Sequence, residues 1–230
     1  MIKEIFRRIT GRGERPVAPA GPYVPAEYWE NRADALIEAY DAPESWEQRG
    51  WLKDGVEEEG VPPLLAREDV RSVLVVGAGS GRQYNFLRPL GLEISGFDIS
   101  PTLVATCQSR YPDIETVVDD LVGAADRHAP VDAVLSTTVL QHIPPHEIRS
   151  AVAATKSLAR RLVVIRETTY LRESSQYQFA HDYDELFADW RSIHRTVTDE
   201  NDLVRVELIA WTPPGEPDRP RGDSRSTSPR

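Results

Sequence analysis

Three glycines at alternate positions, Gly77, Gly79 and Gly81, follow directly on the apolar run at residues 73–76. Glycine at this spacing lets a chain turn sharply after a strand and lets a ligand approach the backbone. An acid, Asp98, closes the next apolar run, where its carboxylate can accept hydrogen bonds from a ribose diol. Loop and acid together suit a nucleotide-like ligand; a tight turn in some other α/β protein is the plain alternative. A dinucleotide fingerprint, G-x-G-x-x-G, requires a third glycine where this chain has Arg82. No G-x-x-x-x-G-K-[ST] phosphate loop occurs either.

Other reactive side chains fall at the ends of later apolar runs. Asp119 and Asp120 follow residues 114–118, Thr137 and Thr138 follow 131–136, and Glu167 follows 161–166. In open α/β sheets ligands sit outside the carboxyl ends of the strands, which is where all of these lie. His142 in LQHIPP, Glu167, and His181 in HDYDELF are the candidate proton acceptors. Each has a structural alternative: a loop-holding hydrogen bond for His142, a helix cap for His181, and pairing with an arginine for Glu167. A strand-end aspartate such as Asp120 is also a common cap or turn former.

The elements that must position these residues alternate. Residues 73–76 form a continuous β-branched run, as in a strand buried on both faces of a parallel sheet. Ser100-Pro101 pairs an N-cap with proline at the first helical position, predicting a helix to about Arg110. Strands are predicted at 114–118, 131–136 and 161–166, with helices from Pro145 to about Ala159 and at about 182–190. Two alternating runs, 192–198 and 203–211, flank four polar residues and form a hairpin. Upstream, Trp29, Ala33, Leu36 and Ile37 recur at helical spacing, and a second helical piece with Trp46 and Trp51 ends at Pro62-Pro63. Tyr28, Trp29 and Trp51 are more simply core than substrate contacts.

The glycine loop followed by Asp98 resembles motif I of the class I S-adenosylmethionine-dependent methyltransferases, and the resemblance covers roughly residues 70–211. It implies an α/β three-layer sandwich whose mostly parallel seven-stranded sheet ends in an antiparallel hairpin, with N-terminal helices added. It implies S-adenosyl-L-methionine as cofactor. Gly77, Ala78, Gly79 and Gly81 would then face its methionine portion, Asp98 its ribose and Ile99 its adenine. Asp120 would accept from the adenine amino group, with Leu121 beside the ring; a one-residue slip would put Asp119 there instead. Thr137 and Thr138 would flank the methionine carboxylate and the transferring methyl. STTVLQ and RETTY lack the aspartates of metal-dependent catechol-type relatives, so no metal is expected. No Asn-Pro-Pro-Tyr follows the fourth strand, which argues against nucleic-acid bases and glutamine amides as acceptors.

The expected reaction is methyl transfer to a small-molecule or glycan acceptor at oxygen. The basic arm, proline linker and EYWENRA resemble bacterial methyltransferases of cell-surface polysaccharide synthesis. The alternatives are an NAD-dependent oxidoreductase or epimerase, disfavoured by Arg82 and the lack of Tyr-x-x-x-Lys, and a catalytically idle cofactor-binding module. With 37 acidic against 27 basic residues the net charge is -10, which argues against general affinity for nucleic acid. The single Cys107 forms no internal disulfide, and a reducing cytoplasm is the expected compartment. By domains, residues 1–25 are a basic arm and proline-rich linker, 26–212 the methyltransferase domain with a helical cap at 26–68, and 213–230 a disordered tail. Residues 1–13 have basic amphipathic spacing suited to weak contact with an anionic membrane surface, the simpler reading being a frayed or docked helix. Oligomeric state has no signature in the sequence.

Overall fold

The structure is a computed structural model that describes residues 23–41, 56–173 and 175–215. The basic arm, the segment with Trp46 and Trp51, and residues 216–230 lie outside the described residues. In chain order the helices are α1 (Pro25–Glu30), α2 (Ala33–Asp41), α3 (Val56–Arg67), α4 (Tyr84–Leu87), α5 (Pro101–Arg110), α6 (Leu121–Arg127), α7 (Ile148–Leu158) and α8 (Tyr183–Leu186). Strands β1 (Ser72–Val76), β2 (Glu93–Asp98), β3 (Glu115–Val118), β4 (Val131–Thr137) and β5 (Ala159–Leu171) run parallel. β6 (Arg191–Glu200) and β7 (Val204–Thr212) form the antiparallel hairpin, and the sheet order is β3-β2-β1-β4-β5-β7-β6.

Alternation along each central strand builds two cores. Val73, Val75, Leu135, Leu162 and Val164 face α3, α4 and α5, where they meet Val61, Leu64, Leu65, Tyr84 and Cys107. Leu74, Val76, Val134, Val163 and Ile165 face α6 and α7 on the other side, along with Tyr183 and Phe187. Both faces are covered, which is why the strand sequences are apolar at every position rather than every second one. The expected cap of α5 is present: Ser100 Oγ accepts from Leu103 N at 3.2 Å, with Pro101 at the first position.

Three boundaries differ from expectation. Pro62 and Pro63 lie inside α3 instead of ending it. An interior proline costs about 3 kcal/mol, but α3 buries Val61, Leu64 and Leu65 against the sheet, each worth about 1.5–3 kcal/mol. β5 runs on to Leu171, well past Arg166, because β7 pairs with its polar second half from Arg166 through Leu171. The helix expected at 182–190 is a single turn capped by Asp182, after which Phe187 stacks on Trp211 at 4.2 Å.

A buried charge cluster joins α3 to the sheet near the glycine loop. Glu57, 2 % exposed, accepts two hydrogen bonds from Arg82 at 3.0 and 2.8 Å. Arg166, 1 % exposed, reaches the same carboxylate at 3.4 Å, and also Asp199 at 2.6 Å and Thr198 at 3.2 Å. Removing one partner of such a set leaves uncompensated buried charge. Glu57→Ala is therefore expected to destabilise the fold by about 3–5 kcal/mol, as read from denaturant unfolding. A loss under about 1 kcal/mol, the range of an exposed pair, would show that the cluster is not needed.

Candidate functional site

Where β1 ends, Gly77, Gly79 and Gly81 take φ values of 63°, 56° and 91°, the left-handed region in which a side chain is strained. A Cβ on Gly77 would collide with Val139 Cγ2, and one on Gly81 would lie 2.5 Å from the Tyr111 ring. A Cβ on Gly79 would make an ordinary contact with Tyr40 Cε2, at 3.8 Å. The loop is thus tightly packed at Gly77 and Gly81 and less so at Gly79, where a side chain would touch Tyr40. Ala78 N donates to Phe97 O at 2.9 Å, tying this turn to the end of β2.

Asp98 closes β2 at 7 % exposure. Its Oδ2 accepts from Gly79 N and its Oδ1 from Ser100 N, both at 2.9 Å. Burial pushes its pKa up against these backbone donors. A carboxylate has about four acceptor sites, so capacity for a diol remains. Ile99 beside it is half-buried. The cap helices are fastened over this corner: Glu30 accepts from Ser100 Oγ and Thr102 Oγ1, each at 2.5 Å, and Arg110 binds Asp41 at 2.7 Å. Sequence reading passed over Tyr40, Glu30 and Glu57. Tyr40 extends the stripe of Ala33, Leu36 and Ile37 and could have been found from it; the two acids have no local signal.

At the tip of β3 both aspartates are engaged within the protein. Asp119 is buried and bonds Arg127 Nε at 2.9 Å and His128 Nε2 at 3.0 Å. Burial pushes its pKa up, but the Arg127 and His128 bonds outweigh this and hold it below the usual range. Asp120 is exposed and caps α6, accepting from Gly123 N at 2.7 Å and meeting Arg127 at 3.1 Å. Leu121 is buried behind them. At the tip of β4, Thr137 Oγ1 is buried without a hydrogen-bond partner, and Thr138 holds a φ of 56°. Thr169 Oγ1 and the Tyr183 hydroxyl are likewise buried without a hydrogen-bond partner.

Glu167 and the two histidines organise the loops that follow β4 and β5. Glu167, fully buried, accepts from Ser136 Oγ at 3.1 Å and from the N–H groups of Val139, Leu140 and Gln141 at 2.9, 3.0 and 3.1 Å. Burial raises its pKa to about 7 despite those donors. His142 Nδ1 donates to the Tyr177 carbonyl, while its Nε2 lies 3.2 Å from the Gln141 amide nitrogen. Gln141 Oε1 in turn accepts from Thr168 N at 3.1 Å and Thr168 Oγ1 at 2.6 Å. His181 Nε2 donates to the Ile143 carbonyl at 3.0 Å, and Phe179 N to the Gln141 carbonyl at 2.8 Å. Desolvation holds His142 down to about 4 and lowers His181 as well. The structure thus gathers His142, Glu167 and His181 into one stitched pair of loops. The glycine loop, Asp98 and Thr137 lie along the strand ends. Among the described residues no group of three or more His, Cys, Asp or Glu side chains is arranged to hold a metal ion.

Two outcomes follow from these bonds. In Glu167→Gln an amide NH2 would face backbone N–H groups, so a loss of about 1–3 kcal/mol is expected in urea unfolding; an unchanged midpoint would exclude this role. The His142 pKa lies below the unfolded value of 6.5, so the unfolded chain binds the extra proton between about 6.5 and 4. The stability His142 contributes is complete above pH 6.5 and lost as pH falls towards 4. Glu167, raised from 4.5, works in the opposite direction, its contribution being lost as pH rises towards 7. Comparing wild type with His142→Gln isolates the first effect: wild-type stability should fall relative to the variant on acidification, and parallel pH profiles would contradict it.

Residues 73–161 match the sequence profile of the methyltransferase domain family. Among solved structures, the magnesium protoporphyrin IX methyltransferase of Synechocystis, with bound S-adenosylhomocysteine, superposes with a TM-score of 0.68 at 15% identity, covering 82% of this chain and 98% of that one. The 1,6-didemethyltoxoflavin-N1-methyltransferase of Burkholderia thailandensis gives 0.59 at 17% identity, over 85% and 93% of the two chains. An S-adenosylmethionine-dependent methyltransferase from Clostridium acetobutylicum gives 0.63 at 7% identity, over 79% and 99%. These structures share the fold, and the matched profile covers the glycine loop through the start of β5. Residues 73–161 thus match the methyltransferase domain family, and the described residues share the fold of S-adenosylmethionine-dependent methyltransferases.

Proposed function

We propose that the chain transfers a methyl group to a small-molecule or glycan acceptor, at oxygen, by direct displacement within an aligned complex. The observation that supports it most is the left-handed glycine turn whose Gly79 N–H is held by the buried Asp98 carboxylate, at the end of the strand beside the one that ends in the unpartnered Thr137 hydroxyl. These groups fit S-adenosyl-L-methionine: an acid for its ribose, bare backbone for its methionine portion, and a hydroxyl without a partner at the strand tip. When bound, that cofactor supplies a methyl activated on a sulfonium, so the C–S bond breaks as the C–O bond forms.

What this chain adds is alignment, which can be worth about 7–11 kcal/mol of barrier. Asp98 and the glycine loop fix one partner. The loops after β4 and β5 fix the other, and His142, Glu167 and His181 act there as positioning groups, because each is engaged in backbone hydrogen bonds. A proton acceptor in direct contact with the acceptor oxygen is not required when that oxygen has a low enough pKa to ionise at working pH. Oxygen as the accepting atom, and a glycan as one acceptor class, rest on the sequence resemblance. The relatives with bound small molecules support a compact acceptor.

Asp98→Ala tests the cofactor assignment. Removing a charged hydrogen-bonding partner costs about 1.5–3 kcal/mol, so S-adenosylhomocysteine affinity should drop roughly tenfold to a hundredfold by calorimetry. The unliganded variant should also unfold at a lower temperature, because Gly79 N and Ser100 N lose their acceptor, so affinity is measured well below its transition. Wild-type binding of NAD without binding of S-adenosylhomocysteine would overturn the proposal. Mass spectrometry of a cell extract incubated with labelled cofactor identifies the acceptor.

A further inference from the structure

Five aromatic rings from three separate parts of the chain meet beside the loop that follows β4. Tyr28 and Tyr177 stack with centroids 4.7 Å apart. Tyr23 stands edge-on to both, at 5.5 and 5.9 Å. Trp29 is edge-on to Tyr28 at 5.0 Å and to His142 at 4.7 Å. The Tyr23 hydroxyl donates to the His142 carbonyl at 3.1 Å. Tyr23, Tyr28 and Trp29 are half-buried, whereas Tyr177 is buried. The wall stands near the glycine turn, because Val139, three residues before His142, packs on Gly77.

Arg32 completes the group. Its guanidinium lies 5.0 Å over the Tyr28 ring, and its charge is felt at His142. Other arginines that are at least partly engaged in the fold have carboxylate partners, such as Arg82 with Glu57, Arg110 with Asp41 and Arg166 with Asp199, whereas Arg160, Arg172 and Arg191, like Arg32 in no ion pair among the described residues, are exposed. Among the described residues Arg32 is in no ion pair, although acids outnumber bases 37 to 27 in the chain. A half-buried guanidinium held over an aromatic face, in an acidic protein and without a carboxylate of its own, is a ready partner for a ligand anion.

We propose that the acceptor is an aromatic acid, its ring lying on the wall of Tyr23, Tyr28, Trp29 and Tyr177 and its anionic group held by Arg32. This rests on the methyltransferase reading and narrows its acceptor. It agrees with the engagement of both histidines, since an acidic aromatic acceptor has less need of a protein base. The uncharged glycan considered above would leave Arg32 without a partner.

The test uses the full chain and a matched pair of probes, 4-hydroxybenzoate and the neutral 4-hydroxybenzamide, with S-adenosylhomocysteine at saturation. Calorimetry first measures S-adenosylhomocysteine alone; failure there removes the parent reading, whereas success isolates the acceptor question. The carboxylate is then expected to bind wild type about tenfold or more tighter than the amide, as a charge-assisted hydrogen bond implies. Arg32→Ala should abolish that preference with S-adenosylhomocysteine binding unchanged, and Arg32→Lys should retain part of it. Equal binding of the two probes to wild type, binding of neither, or a preference that survives in Arg32→Ala overturns the proposal. The wild-type comparison stands even if the variants fold poorly.

Discussion

A single carboxylate, Glu57, holds two guanidiniums at the point where the cap, the glycine loop and the sheet converge. Arg82 follows the last glycine of the loop, and Arg166 sits on β5 level with Thr137 of β4. Together with Asp199 on Arg166, Glu57 supplies counter-charge to these cations, and the effective penalty for burying an unpaired ion is several kcal/mol. Glu57 therefore fixes α3 against the sheet and at the same time fixes how the glycine loop leaves β1. The same side of the sheet presents the Thr137 hydroxyl, so the glycine turn and the charge cluster share a wall.

On the other side, Glu167 does for the loop after β4 what Glu57 does for the glycine loop. It collects three consecutive backbone N–H groups that no helix or strand satisfies. Such donors are costly when buried alone, and meeting them with one carboxylate freezes the turn that bears Gln141 and His142. Gln141 then passes the constraint to Thr168 and, through its backbone carbonyl, to Phe179; His142 passes it to Tyr177. The loops after β4 and β5 are thus held by the Glu167 carboxyl, imidazoles and amides rather than by ion pairs. That suits a reaction whose main demand is geometry, because neutral hydrogen bonds persist across the pH range in which the rings stay unprotonated.

Much of the frame was legible in the sequence. The β-branched runs of β1, β4 and β5 announced a sheet buried on both faces, Ser100-Pro101 announced the start of α5, and the polar residues between two alternating runs announced the hairpin. The positions of Gly77, Gly79, Gly81 and Asp98 announced the turn and its acid. Pro62-Pro63 misled, because local propensity cannot register how much apolar surface α3 buries. The polar half of β5 was missed for a related reason: its strand character comes from pairing with β7, a partner about forty residues away in the chain.

The sequence by itself determined the order of strands and helices, the left-handed glycine turn and the acid at the end of β2. Each of these follows from local chemistry: β-branching, the absence of a Cβ, and the spacing from strand to loop. Only the tertiary structure decided which of the polar and charged side chains are bonded within the protein. Glu167 and His142 look like catalytic candidates in the chain, yet in the fold their polar atoms are bonded to backbone and to Gln141. Arg32 looks like one more surface cation, yet it lies over Tyr28 and is in no ion pair among the described residues. The difference is one of long-range pairing: whether a polar group is satisfied depends on partners brought together by packing, and no local pattern encodes them.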